Sequence, residues 1–280
     1  MRIAVLLALS AVTLPAQAPI PGNEPFPAYK VIANIYYVGT DDITSYLITT
    51  PAGHILINAG YAETVPEIDK SIRKLGFKPA DVKILLNGQA HFDHVAGMSA
   101  LQKLTGGKIY SSERDAPVLE SGGVKDPRWG KEQTYPPVKV DHILKDGEKV
   151  TLGGITLVTR LTPGHSLGCT TFTMTVQDAG KPLDVVFVGG TSINPGIRLA
   201  IDPTWPGIAA DFQKGFDVLK GLKCDVFLGA HGGYYGMKAK YARINEPTNP
   251  FIDPEGYKQF VAKSEKTFHD QVAREKAGVK

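Results

Sequence analysis

Six residues in one short stretch carry most of the chemistry this chain can offer: Gln89-Ala90-His91-Phe92-Asp93-His94. Imidazole and carboxylate are ordinary ligands for zinc. Gln89, His91 and Asp93 lie two apart, and His94 adjoins Asp93. In an irregular loop, alternate residues point one way while a neighbour points another. Such a segment can serve two metal ions a few Å apart, with room between them for hydroxide. A helix is not expected here, because positions i and i+2 diverge on a helix. The loop is polar and ends in Gly97, which suits a non-helical backbone.

Two further histidines stand in the same kind of place. His165 lies in Thr162-Pro163-Gly164-His165-Ser166-Leu167-Gly168, and His231 in Gly229-Ala230-His231. Each follows a short apolar run that reads as a strand, as 82–86 does before the His91 segment. Loops at strand ends are where rigid scaffolds present functional groups. Of the seven histidines, His54, His142 and His269 lack this setting and are assigned no role. His54 reads as a strand start, His142 as part of a strand, and His269 as part of the tail helix.

The elements that must position these residues follow from pattern. Residues 30–40, 45–50 and 54–58 read as successive strands, with Pro51-Ala52-Gly53 as a turn. Residues 64–75 read as a helix with Pro66 in its first turn and Gly76 after its end. A second helix is expected from about 97 to 104 and a strand over 108–111. Residues 121–137, rich in Gly, Pro and charge, read as an exposed loop. Residues 138–161 read as two or three antiparallel strands, and 170–176 and 184–188 extend that sheet. Residues 208–222 form an amphipathic helix with Phe212, Phe216, Val218 and Leu219 roughly on one face. A strand over 224–228 and a charged helix over 255–276 complete the order. Two stacked sheets with helices outside, a four-layer αββα sandwich in a single α/β domain over 25–280, account for it.

Composition is that of a globular protein: 42% hydrophobic and 21% charged over 280 residues. A net charge of +3, with no basic stripe, argues against a nucleic-acid partner. Residues 1–18 read as a secretory signal peptide: Met1-Arg2, an apolar run over 3–14, then Ala16-Gln17-Ala18. The apolar run is short of the roughly 20 residues that span a bilayer. The expectation is a periplasmic or secreted monomer with no membrane span once mature. Export permits a disulfide between Cys169 and Cys224, but each adjoins an apolar run where free cysteine packs as a small hydrophobe.

The string Gln89 to Gly97 resembles the H-x-H-x-D-H signature of the metallo-β-lactamase superfamily, and the spacing to His165 and His231 fits it. Within it the chain looks most like the third subclass of class B β-lactamases. Three stretches support this: Ser192-Ile193-Asn194-Pro195-Gly196, residues 206–212, and His231-Gly232-Gly233-Tyr234-Tyr235-Gly236. The resemblance implies one zinc on Gln89, His91 and His165, and another on Asp93, His94 and His231. It implies opening of a β-lactam ring by a metal-bound hydroxide that Asp93 orients. Thr191 and Ser192 are the candidate substrate-binding residues. The departure is Gln89, where the family usually has His. A neutral amide oxygen is the weaker donor, so one or two zincs are expected, with the Asp93/His94/His231 site the tighter.

Thioesterase and nuclease branches of the superfamily usually place a bridging Asp after the strand at 184–188. Here that position reads Gly189-Gly190-Thr191-Ser192. The missing Asp counts against those branches. The remaining alternatives are an exported hydrolase of a lactone, thioester or other cyclic amide, and a non-enzymatic zinc- or partner-binding module.

Overall fold

The computed structural model describes residues 20–130 and 132–278. The expected leader, residues 1–18, lies outside the described residues. The first sheet opens with β1 (Tyr29–Ile32), β2 (Ile35–Tyr37), β3 (Tyr46–Thr50) and β4 (Gly53–Ile57), each antiparallel to the next. β5 (Val82–Leu86), β6 (Lys108–Ser112) and β7 (His142–Leu144) then join in parallel. The second sheet contains β8 (Lys149–Leu152), β9 (Ile155–Leu161), β10 (Thr170–Asp178), β11 (Lys181–Val188) and β12 (Val226–Gly229), in the order β12-β11-β10-β9-β8.

Alternation along each strand builds the layers. Tyr46 and Ile48 face the second sheet and share a core with Phe172, Met174 and Phe187, whereas Leu47 faces the other way. That outer face packs on α1 (Val65–Lys74) and α3 (Met98–Thr105) through Ile68, Ile72 and Leu101. A period of two on a sheet covered on both sides produces this split. On the far side, α5 (Ile208–Gly221) and α7 (Pro254–Lys276) close the second sheet. Phe212 and Phe216 of α5 stack with Phe268 of α7, and Phe227 of β12 meets Tyr257 and Phe260. The result is the four-layer αββα sandwich expected.

Strand direction explains where loops gather. β9 and β11 both run antiparallel to β10, and β12 runs parallel to β11. The carboxyl ends of β9, β11 and β12 therefore open on one edge, and each opens into a loop that carries or holds a candidate ligand.

Three local expectations are corrected. Residues 30–40 form two strands, because the chain turns at Ala33, which takes a left-handed φ of 45°. Residues 138–161 do not form one antiparallel set. β7 lies parallel to β6 in the first sheet, and only β8 and β9 pair antiparallel in the second. Local alternation shows that a strand has two faces, but not which sheet it joins. Residues 121–137 are not a plain exposed loop either: Asp126 and Tyr135 are buried. Cys169 and Cys224 are both free and buried, so no disulfide joins them. Among the described residues no helix is long and apolar enough to cross a membrane.

Candidate metal centre

The segment after β5 is pinned residue by residue. Asn58 Oδ1 accepts the Gly88 amide at 2.9 Å, and the Gly88 carbonyl accepts the Thr170 amide at 2.7 Å. Tyr135 donates its hydroxyl to the Ala90 carbonyl at 2.9 Å. His91 is extended and then caps one turn of helix, α2 (Phe92–Val95). This corrects the expectation of a wholly irregular segment. An extended His91 followed by a helical turn separates the directions of His91, Asp93 and His94 as well as a loop does.

His165 sits in a turn that approaches its neighbours closely. At Gly164, with φ of 133°, a Cβ would lie 2.7 Å from the Phe212 ring. Behind the turn, buried Asp115 accepts the Gly168 amide at 2.7 Å and the Ser166 hydroxyl at 3.0 Å. Burial raises the Asp115 carboxyl to about 6 despite these donors. His231 follows β12, held by a bridge to Ile43 and by the Gly232 amide donating to the Asp42 carbonyl at 2.7 Å.

The side chains meet in two trios. In the first, Gln89 Nε2 donates to the Gly189 carbonyl at 3.1 Å, which turns Oε1 toward His91 Nδ1 at 2.7 Å. His165 Nδ1 donates to the Ser192 carbonyl at 2.6 Å, leaving the Nε2 lone pair 3.2 Å from His91 Nδ1. In the second, His94 Nε2 lies 3.2 Å from both Asp93 Oδ2 and His231 Nε2. His231 Nδ1 faces Asp42 Oδ2 at 2.9 Å. All three ligand atoms of the second trio lie within 4.8 Å of one another.

Burial depresses the pKa of His91 to about 4 against the pull of Asp93, and that of His165 to about 3. His94 is likewise lowered by burial. Burial alone would raise the Asp93 carboxyl, but the neighbouring imidazoles of His94 and His231 hold it below the usual carboxylate range. Neutral imidazoles and an ionised carboxylate are the protonation states metal binding requires.

The donor set fits a divalent cation. Imidazole nitrogens, an amide oxygen and a carboxylate oxygen converge at hydrogen-bonding distances, as donors around a divalent cation do. His94 Nδ1 is fully buried without a partner, so the ring is held only from its Nε2 side, where Asp93 and His231 converge.

The candidate substrate residues lie beside this centre. Thr191 Oγ1 donates to Ser264 Oγ of α7 at 3.2 Å, and Ser192 holds His165 through its carbonyl. Both line a cleft of about 570 Å³ between this loop, Tyr234 and α7. Arg198 is exposed, consistent with a solvated arginine. Sequence reasoning missed Asp42, Asp115 and Asp126. Asp126 fell within residues 121–137, whose Gly, Pro and charge read as an exposed loop.

Comparison with known proteins agrees with this geometry. The profile described as the metallo-beta-lactamase superfamily matches residues 38–231. The chain is similar to the FEZ-1 metallo-beta-lactamase from Legionella gormanii. The identity is 42% and the TM-score 0.90, over 92% of this chain and 99% of that one. It is similar to BJP-1, a subclass B3 metallo-beta-lactamase of Bradyrhizobium japonicum, with 39% identity and a TM-score of 0.86, over 92% and 98%. A curated relative, the probable metallo-hydrolase YqgX of Bacillus subtilis, is 29% identical over 59% of this chain and 71% of its own length. The chain belongs to the metallo-beta-lactamase superfamily and is a metal-dependent hydrolase of it.

Proposed function

We propose that the chain is a zinc-dependent β-lactamase, with Gln89, His91 and His165 as one set of ligands and Asp93, His94 and His231 as the other. The observation that carries this reading is the pair of facing trios at the edge where β5, β9 and β12 end. Zinc held there supplies a Lewis acid and makes water acidic enough to react as hydroxide near neutral pH. Hydrolysis adds oxygen to the lactam carbonyl carbon, breaks the C–N bond and leaves the proton on nitrogen. Asp93 stays ionised throughout, so it accepts a hydrogen bond from the attacking water and orients it. Thr191 and Ser192, on the cleft wall, are the proposed substrate contacts.

The strand end after β11 supports a lactam over a thioester. A Cβ at Gly189 would lie 2.4 Å from the Thr170 carbonyl oxygen. At Gly190 it would lie 2.4 Å from His165 Cδ2. Neither position has room for a bridging carboxylate, and the next residue, Thr191, is neutral. The likeness to the FEZ-1 and BJP-1 lactamases supports the same choice.

The two sites are unequal in this reading. The Asp93 trio holds a carboxylate against the cation and fills first, while the Gln89 trio offers only neutral donors. The proposal includes export to the periplasm or beyond the cell, on the signal-peptide pattern of residues 1–18.

Hydrolysis of a chromogenic cephalosporin, with and without chelator, tests the activity. Turnover that chelator abolishes and zinc restores is expected. Turnover of a lactone or a thioester at controlled zinc, with none of any lactam, would overturn the substrate assignment.

A further inference from the structure

His91 is approached from both sides. Its Nδ1 faces Gln89 Oε1 and His165 Nε2, while its Nε2 lies 3.4 Å from Asp126 Oδ2. The His91 and Asp126 side chains are only 5% and 6% exposed. A neutral imidazole carries a single ring proton. Placed on Nε2, that proton faces a carboxylate. On Nδ1 it would instead face Gln89 Oε1 and His165 Nε2. A cation at Nδ1 needs the first form, and the Asp126 carboxylate favours that form by facing its proton.

We propose that Asp126 is a positioning residue for His91, and that through it the segment 121–135 sets the metal affinity of the Gln89/His91/His165 trio, offsetting the weak amide donor. The inference rests on reading that trio as a metal site.

The two carboxylate oxygens of Asp126 divide the work. Oδ1 accepts the amides of Arg128 at 2.8 Å and Trp129 at 2.7 Å, closing a turn. A turn of this kind needs one neutral oxygen, which asparagine supplies equally well. Oδ2 has no part in the turn and faces His91. Burial raises the carboxyl of Asp126, so charge at this position is costly and the turn does not account for it.

The segment is fastened so that Asp126 stays in place. Tyr135 reaches the Ala90 carbonyl beside His91. Arg128 Nε donates to the Pro195 carbonyl at 2.6 Å, and its guanidinium lies 3.9 Å from the Trp129 ring centre. Trp129 in turn meets Phe92 edge-on at 5.8 Å. His231 has a matching carboxylate in Asp42, so each trio has one imidazole backed by an aspartate. Outer carboxylates of this kind fix the tautomer and raise the basicity of the ligand nitrogen.

The test is Asp126→Asn, which retains the turn acceptor and removes the charge. Zinc binding to the metal-free protein is titrated in the natural chain and in a Gln89→His background, where the second equivalent is strong. The expected result in both is a second equivalent weakened about 10- to 100-fold, with the first equivalent unchanged and the chelated-state Tm no lower. The ¹⁵N-imidazole spectrum of the metal-free protein should show a larger share of His91 protonated at Nε2 in the natural chain than in Asp126→Asn. A second equivalent indifferent to Asp126 overturns this inference alone, as does equal weakening of both equivalents or a His91 tautomer share that Asp126→Asn leaves unchanged. Absence of a second equivalent even with Gln89→His overturns the metal reading of the trio together with it.

Discussion

Gln89, His91 and His165 lie at 5% exposure or less and present three neutral donors. Asp93 and His231 keep 18% and 22% of their side chains exposed, and their trio holds a carboxylate. The two groups share one edge of the sandwich, yet one is a buried neutral socket and the other a charged mouth. The difference shows how a single fold edge can build a tight site and a weak one from adjacent residues. In the proposed reading charge sets the order of filling, because a cation gains far more from a carboxylate than from an amide oxygen in a partly desolvated site. Burial then decides which site depends on its surroundings. The socket cannot draw on solvent, so its donors are oriented wholly by Gly189, Ser192 and Asp126.

Several substitutions break or sharpen this contrast. Asp93→Ala should have the largest effect. It removes the charge of the mouth, and the first zinc equivalent should weaken by more than about 100-fold, beyond what loss of an outer partner costs. Cephalosporin turnover should fall with it. Retention of a tight first equivalent in that variant would place the strong site elsewhere. Gly190→Ala should damage the socket instead, since its Cβ would enter the His165 ring. Titration should then show the first equivalent intact and the second lost.

Gln89→His sharpens the comparison in the other direction. It gives the socket a third imidazole, and the two affinities should converge, by about tenfold or more in the second equivalent. A second affinity unchanged by this substitution would show that the amide is not what makes the socket weak. Asp42→Asn mirrors the change at Asp126. It removes the carboxylate behind His231, and the first equivalent should weaken about tenfold while the second holds.

A separate effect bears on the chelated protein and acidity. His91 and His165 titrate near 4 and 3, below the ordinary 6.5. As pH falls below 6.5, the unfolded chain takes up protons that the folded socket refuses. Stability present above pH 6.5 is therefore lost progressively toward pH 4 and below, at up to about 1.4 kcal/mol per pH unit for each histidine. Thermal melts of the chelated protein from pH 7 to 4 should show a falling Tm. A flat profile would mean that the socket is not buried in solution.

Much of this was legible in the sequence, and the remainder was hidden for identifiable reasons. β5 and α5 could be read because an apolar run and a helical stripe reflect how each element is buried. The four histidines that the fold brings together could be read because each follows such a run. The turn of helix at α2 was hidden because four residues show no period. Asp42 and Asp126 were hidden for a deeper reason. A carboxylate in a polar loop normally faces water, and what makes these two different is a contact across 189 residues in one case and 35 in the other. Nothing local in the chain records such a distance. Tyr135 and Trp129 were missed likewise, because Gly, Pro and charge around them read as an exposed loop.

Stepwise zinc titration of the metal-free natural chain tests the central claim most directly. Two equivalents separated in affinity are expected, the first of them removed by Asp93→Ala and the second by Gly190→Ala. Two zincs bound with indistinguishable affinity would contradict the unequal pair and the reading of Gln89 as its cause.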